Sequence, residues 1–224
     1  MDALETIQKK ALLLIQQERF EAVPPLLKKA AEVANDSEKK GLIPLAEEIA
    51  EAISNAPLPQ RLEACDCWLI AADLSAQVHG ESNDHAIEKL RIAWHAYSCP
   101  TCTLTDEQAK GSAAKAVELI DRYVAILRRH YPKRENEIAH ALGVKAFTAF
   151  WGDPVDESEF KRLDAFHKEA FKAISESFGE RSDEFASELK VYGTFLSRNG
   201  RVAEGRNFLE RGERLEAALE GGLA

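Results

Sequence analysis

The most reactive side chains in this sequence are its four cysteines. Cys99 and Cys102 bracket Pro100-Thr101 in a CxxC spacing, shortly after His95. Thiolates and imidazole suit tetrahedral Zn²⁺, so His95, Cys99 and Cys102 are the metal-ligand candidates. They form a weak set, because no second ligand pair accompanies the CxxC. Cys65 and Cys67 cannot supply that pair from a helix. Residues i and i+2 on a helix point about 200° apart, so one metal could not take both without unwinding it. Core filling is the expected role of Cys65 and Cys67. A redox role for the CxxC would call for a βαβ context that the sequence lacks.

The histidines are His79, His85, His95, His130, His140 and His167. None sits in HExxH, and GxSxG, P-loop and GxGxxG patterns are also missing. The chain therefore reads as a non-enzyme that needs no cofactor. A basic run, Arg128-Arg129-His130-Tyr131-Pro132-Lys133-Arg134, is expected to close a helix, where cations favour the negative end of the dipole and remain solvated. The net charge of −9 opposes broad binding to nucleic acid or anionic membranes. No apolar run approaches the roughly 18 residues of a membrane span. The N-terminus carries acids first and no cleavage site of secretory type, so a cytoplasmic compartment with reduced thiols is expected.

The elements that position these groups are helices. Apolar residues recur at three- and four-residue steps, with no sustained two-residue alternation. Ten helices are expected, near 3–17, 24–34, 38–54, 60–78, 83–97, 105–130, 135–151, 156–178, 183–198 and 202–220. Asn35-Asp36-Ser37 should cap the third, while Pro44 kinks it or starts it. The fourth is apolar on most sides and should be buried between neighbours. The clearest stretch is 178–220, where Phe185, Leu189, Tyr192 and Leu196 share one face. Asn199-Gly200 then breaks the pattern, since both residues tolerate left-handed backbone angles. Gly193, Gly205 and Gly212 lie inside helices, where each costs roughly 1 kcal/mol against Ala. Close approach of two helix backbones is the expected reason.

This stretch resembles a tetratricopeptide (TPR) unit, in particular the longer kind of kinesin light chains. Small residues stand there at the equivalents of Gly193, Gly205 and Gly212, a Gly at Gly200, and large apolar residues at Leu189, Tyr192, Leu196 and Leu209. Residues 5–34 are similar, with Ala11 and Ala30 at small positions and Phe20 at the aromatic turn position. They depart at Glu18, where Gly is usual, and at Val23, where Ala is usual, so a looser turn is expected. Weaker copies lie around Leu90 and Leu142, whose spacing exceeds the roughly 34 residues of a minimal unit. Insertions at 98–111 and 152–162 account for much of the excess. Around Leu90 the small position falls on Trp94. The resemblance implies an all-α, helical-hairpin solenoid of about ten helices in five antiparallel pairs, as a single domain over 1–224.

It also implies a non-enzymatic module that binds a peptide or partner helix in a concave groove, as adaptor, chaperone or complex subunit. The family's groove positions fall on Ser187, Lys190, Thr194, Ser197 and Arg198 in the last pair. In the preceding pair they fall on His140, Gly143, Phe147, Phe150 and Trp151. Phe147, Phe150 and Trp151 lie beside the apolar stripe of their helix. They are read either as an exposed aromatic anchor or as residues covered by the 152–162 insertion. Lys190 and Arg198 are expected to grip carboxylates of the partner. In the first pair the same positions give Gln8, Leu12, Ile15 and Gln16, too apolar to face water entirely, so a covering surface such as a homodimer mate is expected. The alternative reading is a regulatory or sensor domain that binds a small peptide, or zinc through the CxxC loop.

Overall fold

A computed structural model describes residues 3–55, 61–98, 105–150 and 154–221. Among these residues every regular element is a helix: α1 (Ala3–Gln16), a 3-10 turn (Phe20–Ala22), α2 (Val23–Val33), α3 (Asp36–Ser54), α4 (Arg61–His79), α5 (Asp84–Ser98), α6 (Asp106–His130), α7 (Glu135–Ala149), α8 (Glu157–Ser177), α9 (Asp183–Arg198) and α10 (Val202–Glu220). The ten helices expected from periodicity are all present. The CxxC loop and Trp151 lie outside the described residues. Contacts gather in two compact units, residues 1–126 and 127–224, with the division inside α6.

Local chemistry sets the helix ends. Asn35 accepts from the Ser37 and Glu38 amides, and Glu38 reaches back to the Asn35 amide. This reciprocal capping box starts α3 two residues earlier than the apolar pattern alone suggests. Pro44 stands inside α3 on an exposed position, and the helix continues through it. Asp156 caps α8 through the Glu159 amide, and Ser182 caps α9 through the Phe185 amide.

In the first unit, Ala11 and Leu14 of α1 and Leu27 and Ala30 of α2 join Ile49, Ile53, Cys67 and Leu74 in one core. Cys65 and Cys67 are buried, as expected of filler. Burial, then the acids Asp66 and Glu63, push the Cys67 thiol up to about 12, so it stays protonated. Trp94, at the position where a small residue was expected, is fully buried, with its ring 5.9 Å from that of Tyr123 in α6. Aromatic bulk there replaces the close backbone contact of a small residue.

The α1 exit shows how Glu18 serves at the glycine position. Its φ is +56°, while the Arg19 amide bonds to Leu14 O and the Glu18 amide to Ile15 O. Gly200 does the same at the end of α9, with φ +84°, Arg201 N bonding to Leu196 O and Gly200 N to Ser197 O. The turn after α1 is thus closed by the same hydrogen bonds, and Glu18 bears the strain. Glu18→Gly should raise stability by roughly 0.5–1 kcal/mol, since relief of the left-handed cost exceeds the added unfolded-state entropy. Chemical denaturation of the two forms measures it.

The second unit rests on α9 against α10. A Cβ on Gly193 would stand 2.7 Å from Gly205 O and 2.9 Å from Leu209 N. A Cβ on Gly205 would collide with Ser197 Oγ and stand 2.5 Å from Gly193 O. One on Gly212 would meet Lys190 Cγ at 2.7 Å and Ala186 O at 3.0 Å. The close approach read from the three glycines is present. Gly111, in α6, has open space around the same position. One substitution therefore carries opposite signs at two sites. Gly111→Ala should stabilise by up to about 1 kcal/mol from helix propensity. Gly205→Ala should destabilise by about 1–3 kcal/mol, because backbone atoms block the methyl. Denaturant midpoints of the two variants decide both signs.

Candidate functional site

Three helices of the second unit form a cleft of about 570 Å³. From α7 come His140, Gly143, Val144 and Phe147. From α9 come Asp183, Glu184, Ser187, Glu188 and Val191, and α8 adds Ile174. Val144, Ile174 and Val191 make apolar walls. Phe147 of α7 is 52% exposed. Ile138, Ala139, Leu142 and Ala146 occupy the buried stripe of α7, so Phe147 falls outside it.

Below the cleft lies a buried polar pair. His167 of α8 is 0% exposed and Glu188 of α9 is 3% exposed. His167 Nδ1 and Glu188 Oε1 share a hydrogen bond of 2.7 Å. Tyr192 and Phe195 flank the imidazole, with ring centroids 5.0 and 5.1 Å away. His167 Nε2 has no hydrogen-bond partner among the described residues. Burial pushes the Glu188 carboxyl above the usual carboxylate range, outweighing the hydrogen bond and positive field of His167. The other carboxylate oxygen, Oε2, lies 3.8 Å from where a Gly143 Cβ would stand. Glycine at 143 therefore leaves the space over this oxygen open.

The residues expected at the groove divide among three places. His140, Gly143, Phe147 and Ser187 come together on the cleft. Phe150 turns to the core instead, with its ring 5.1 Å edge-on to Phe195. Val155 and Phe160, from the 152–162 insertion, join that cluster, and Phe160 stacks on Phe195 at 4.9 Å. Val155 N also donates to Asn199 Oδ1, at 2.9 Å, tying the insertion to the end of α9. The insertion thus packs with Phe150 but leaves Phe147 open. Lys190 lies over Gly212 and donates to Glu216 of α10 at 2.7 Å. Thr194 donates to Lys190 O, and Arg198 is exposed near the end of α9.

Of the zinc candidates, His95 stacks on Trp94, with 3.8 Å between ring centroids. Cys99 and Cys102 lie outside the described residues. Among the described residues no three His, Cys, Asp or Glu side chains are grouped to hold a metal ion. No described helix is long and apolar enough to cross a membrane.

Asp183, Glu184, Glu188, His167 and the three apolar walls were missed in the sequence. Their signal was present in part. His167 takes the Leu163–Ala170–Ile174 stripe of α8, and Glu188 takes the Phe185–Leu189–Tyr192 face of α9. A polar residue on each of two buried stripes pointed to a partnered pair, but not to its partner.

Similarity to known proteins lies in the fold. No protein-family model matches the sequence, and no curated protein does. A solved structure of a Podosopora anserina protein with nearly identical TPR-like repeats, ascribed to kinesin light chains, aligns with a TM-score of 0.52 at 17% identity. The alignment covers 96% of this chain and 96% of that one. A variant of that structure gives a TM-score of 0.53 at 16% identity, over 97% and 96% of the two chains. The fold is thus an all-α, TPR-like array of helical hairpins, as the resemblance implied.

The His167–Glu188 pair makes a stability test. His167→Leu strands a buried carboxyl group and should cost about 3 kcal/mol. Replacing both partners, His167→Leu with Glu188→Met, should recover most of the loss, because the burial penalty leaves with the charge. Denaturation of the single and double variants provides the comparison.

Proposed function

We propose that this chain is a non-catalytic protein-binding module, and that a peptide segment of its partner occupies the cleft between α7 and α9. The observation that carries the reading is Phe147, a large aromatic ring held open on the wall of a 570 Å³ cleft while Phe150, three residues on, is packed inward. Exposed aromatic anchors beside apolar pockets are where binding energy concentrates. His140 stands two helical turns from Phe147 on the same lining and can hydrogen-bond to the bound chain.

The rest of the segment would follow α9. Ser187, Val191, Thr194 and Arg198 succeed one another at three- and four-residue steps, which keeps them on one face. Arg198, and Lys190 when released from Glu216, would meet carboxylates there. The TPR-like fold supports a scaffold role, since its hairpins display side chains without burying them in a closed core. Adaptor, chaperone and complex subunit are three settings for that role.

Phe147→Ala should leave the fold within about 0.5 kcal/mol of wild type, because the ring is already exposed. Capture of a native partner on the immobilised full chain should fall more than about tenfold, as for an interface anchor. Undiminished capture would place the interface elsewhere.

A further inference from the structure

We propose that the cleft selects a lysine or arginine side chain of the bound segment, with its cationic tip directed to Glu188 Oε2. The inference rests on the cleft being the binding site and names the chemistry it would select. It starts from the lining, where three carboxylates, Asp183, Glu184 and Glu188, face the space and, among the described residues that line it, the only nitrogen-bearing side chain is that of His140. Asp183 and Glu184 have a second explanation, because they occupy the first turn of α9 and favour its dipole. Glu188 does not. It lies beyond that turn, and burying its carboxyl group is costly.

Glu188 is only half provided for. Oε1 has the His167 ring nitrogen, whereas Oε2 has no hydrogen-bond partner among the described residues and borders the cleft. The route to it is open because residue 143 has no side chain. A Cβ there would touch Ile174 Cδ1 at 3.4 Å and Glu188 Oε2 at 3.8 Å, so anything longer would roof the oxygen over. Val144, Ile174 and Val191 then suit a methylene stem, and Phe147 offers an aromatic face beside it. Apolar walls with a buried anionic floor match a long side chain with a charged end. An acidic segment would instead bring like charges together at three points.

The test uses a displayed library of random linear peptides, selected on the immobilised full chain. Wild-type protein should enrich Lys or Arg at one fixed position. Replacing that residue by norleucine in a synthetic selected peptide should weaken binding at least about tenfold, a readout that leaves the protein untouched. Glu188→Gln, checked for folding by its melting curve, should lose the preference for a basic residue. Gly143→Leu should abolish binding of the same peptides. Peptides that bind in the cleft, blocked by Gly143→Leu, but carry no favoured basic residue would overturn the cation assignment and leave the cleft as the binding site. Peptides insensitive to Gly143→Leu and Phe147→Ala, or no enrichment at all, would overturn both readings.

Discussion

The second unit depends on the contact between α9 and α10, where backbone meets backbone. At Gly193 and Gly205 the two helices approach so closely that a methyl group on either would press into the other's main chain. That contact leaves little freedom in how α9 is rotated about its axis. Once the glycine edge of α9 is committed to α10, Tyr192, Phe195 and Leu196 are delivered to α8 and the insertion. Glu188 is delivered to the His167 side, and Ser187 and Val191 to the cleft. Two surfaces of one helix, the one against α8 and the one on the cleft, thus follow from one steric choice. The intrinsic helix cost of those glycines, roughly 1 kcal/mol each, is small beside the packing they permit.

The interior around Phe195 is unusual in its mix. Phe150, Phe160, Tyr192 and the His167 imidazole surround one ring. Apolar aromatic packing and a buried hydrogen-bonded pair share this space. A histidine and a glutamic acid in such a place need each other, because either alone would leave an unpaired polar group in low dielectric. Polar tips at the edge are handled the same way. Tyr192 Oη donates to Asp164, and Lys168 does too; these bonds hold the Asp164 carboxyl below its usual range although burial pushes it up. The pair under the cleft differs because one oxygen of it borders open space.

Much of the fold was legible because helix periodicity and turn chemistry are local. The three- and four-residue recurrence of Phe185, Leu189, Tyr192 and Leu196 is enough to place α9. Asn35, Asn199 and Gly200 announced helix ends by their backbone and side-chain preferences. Glu18 was legible as an oddity, and the structure shows it held at positive φ instead of releasing the turn. The aromatic trio was legible only as a question, since a position beside an apolar stripe faces either water or a third element. Phe150 went inward because Phe160 and Val155 came back over it, a contact between segments that no helical pattern encodes.

Sequence by itself determined the helices, their caps, and the demand for a tight helix pair at Gly193, Gly205 and Gly212. These follow from the conformational preferences of single residues and from spacing along one element. Only the tertiary structure decided which polar groups meet and which aromatic ring remains open. His167 and Glu188 come from different helices, and the space above Glu188 exists because a third helix presents a glycine there. Their meeting depends on how α7, α8 and α9 are rotated against one another, and packing sets that rotation through many weak contacts at once.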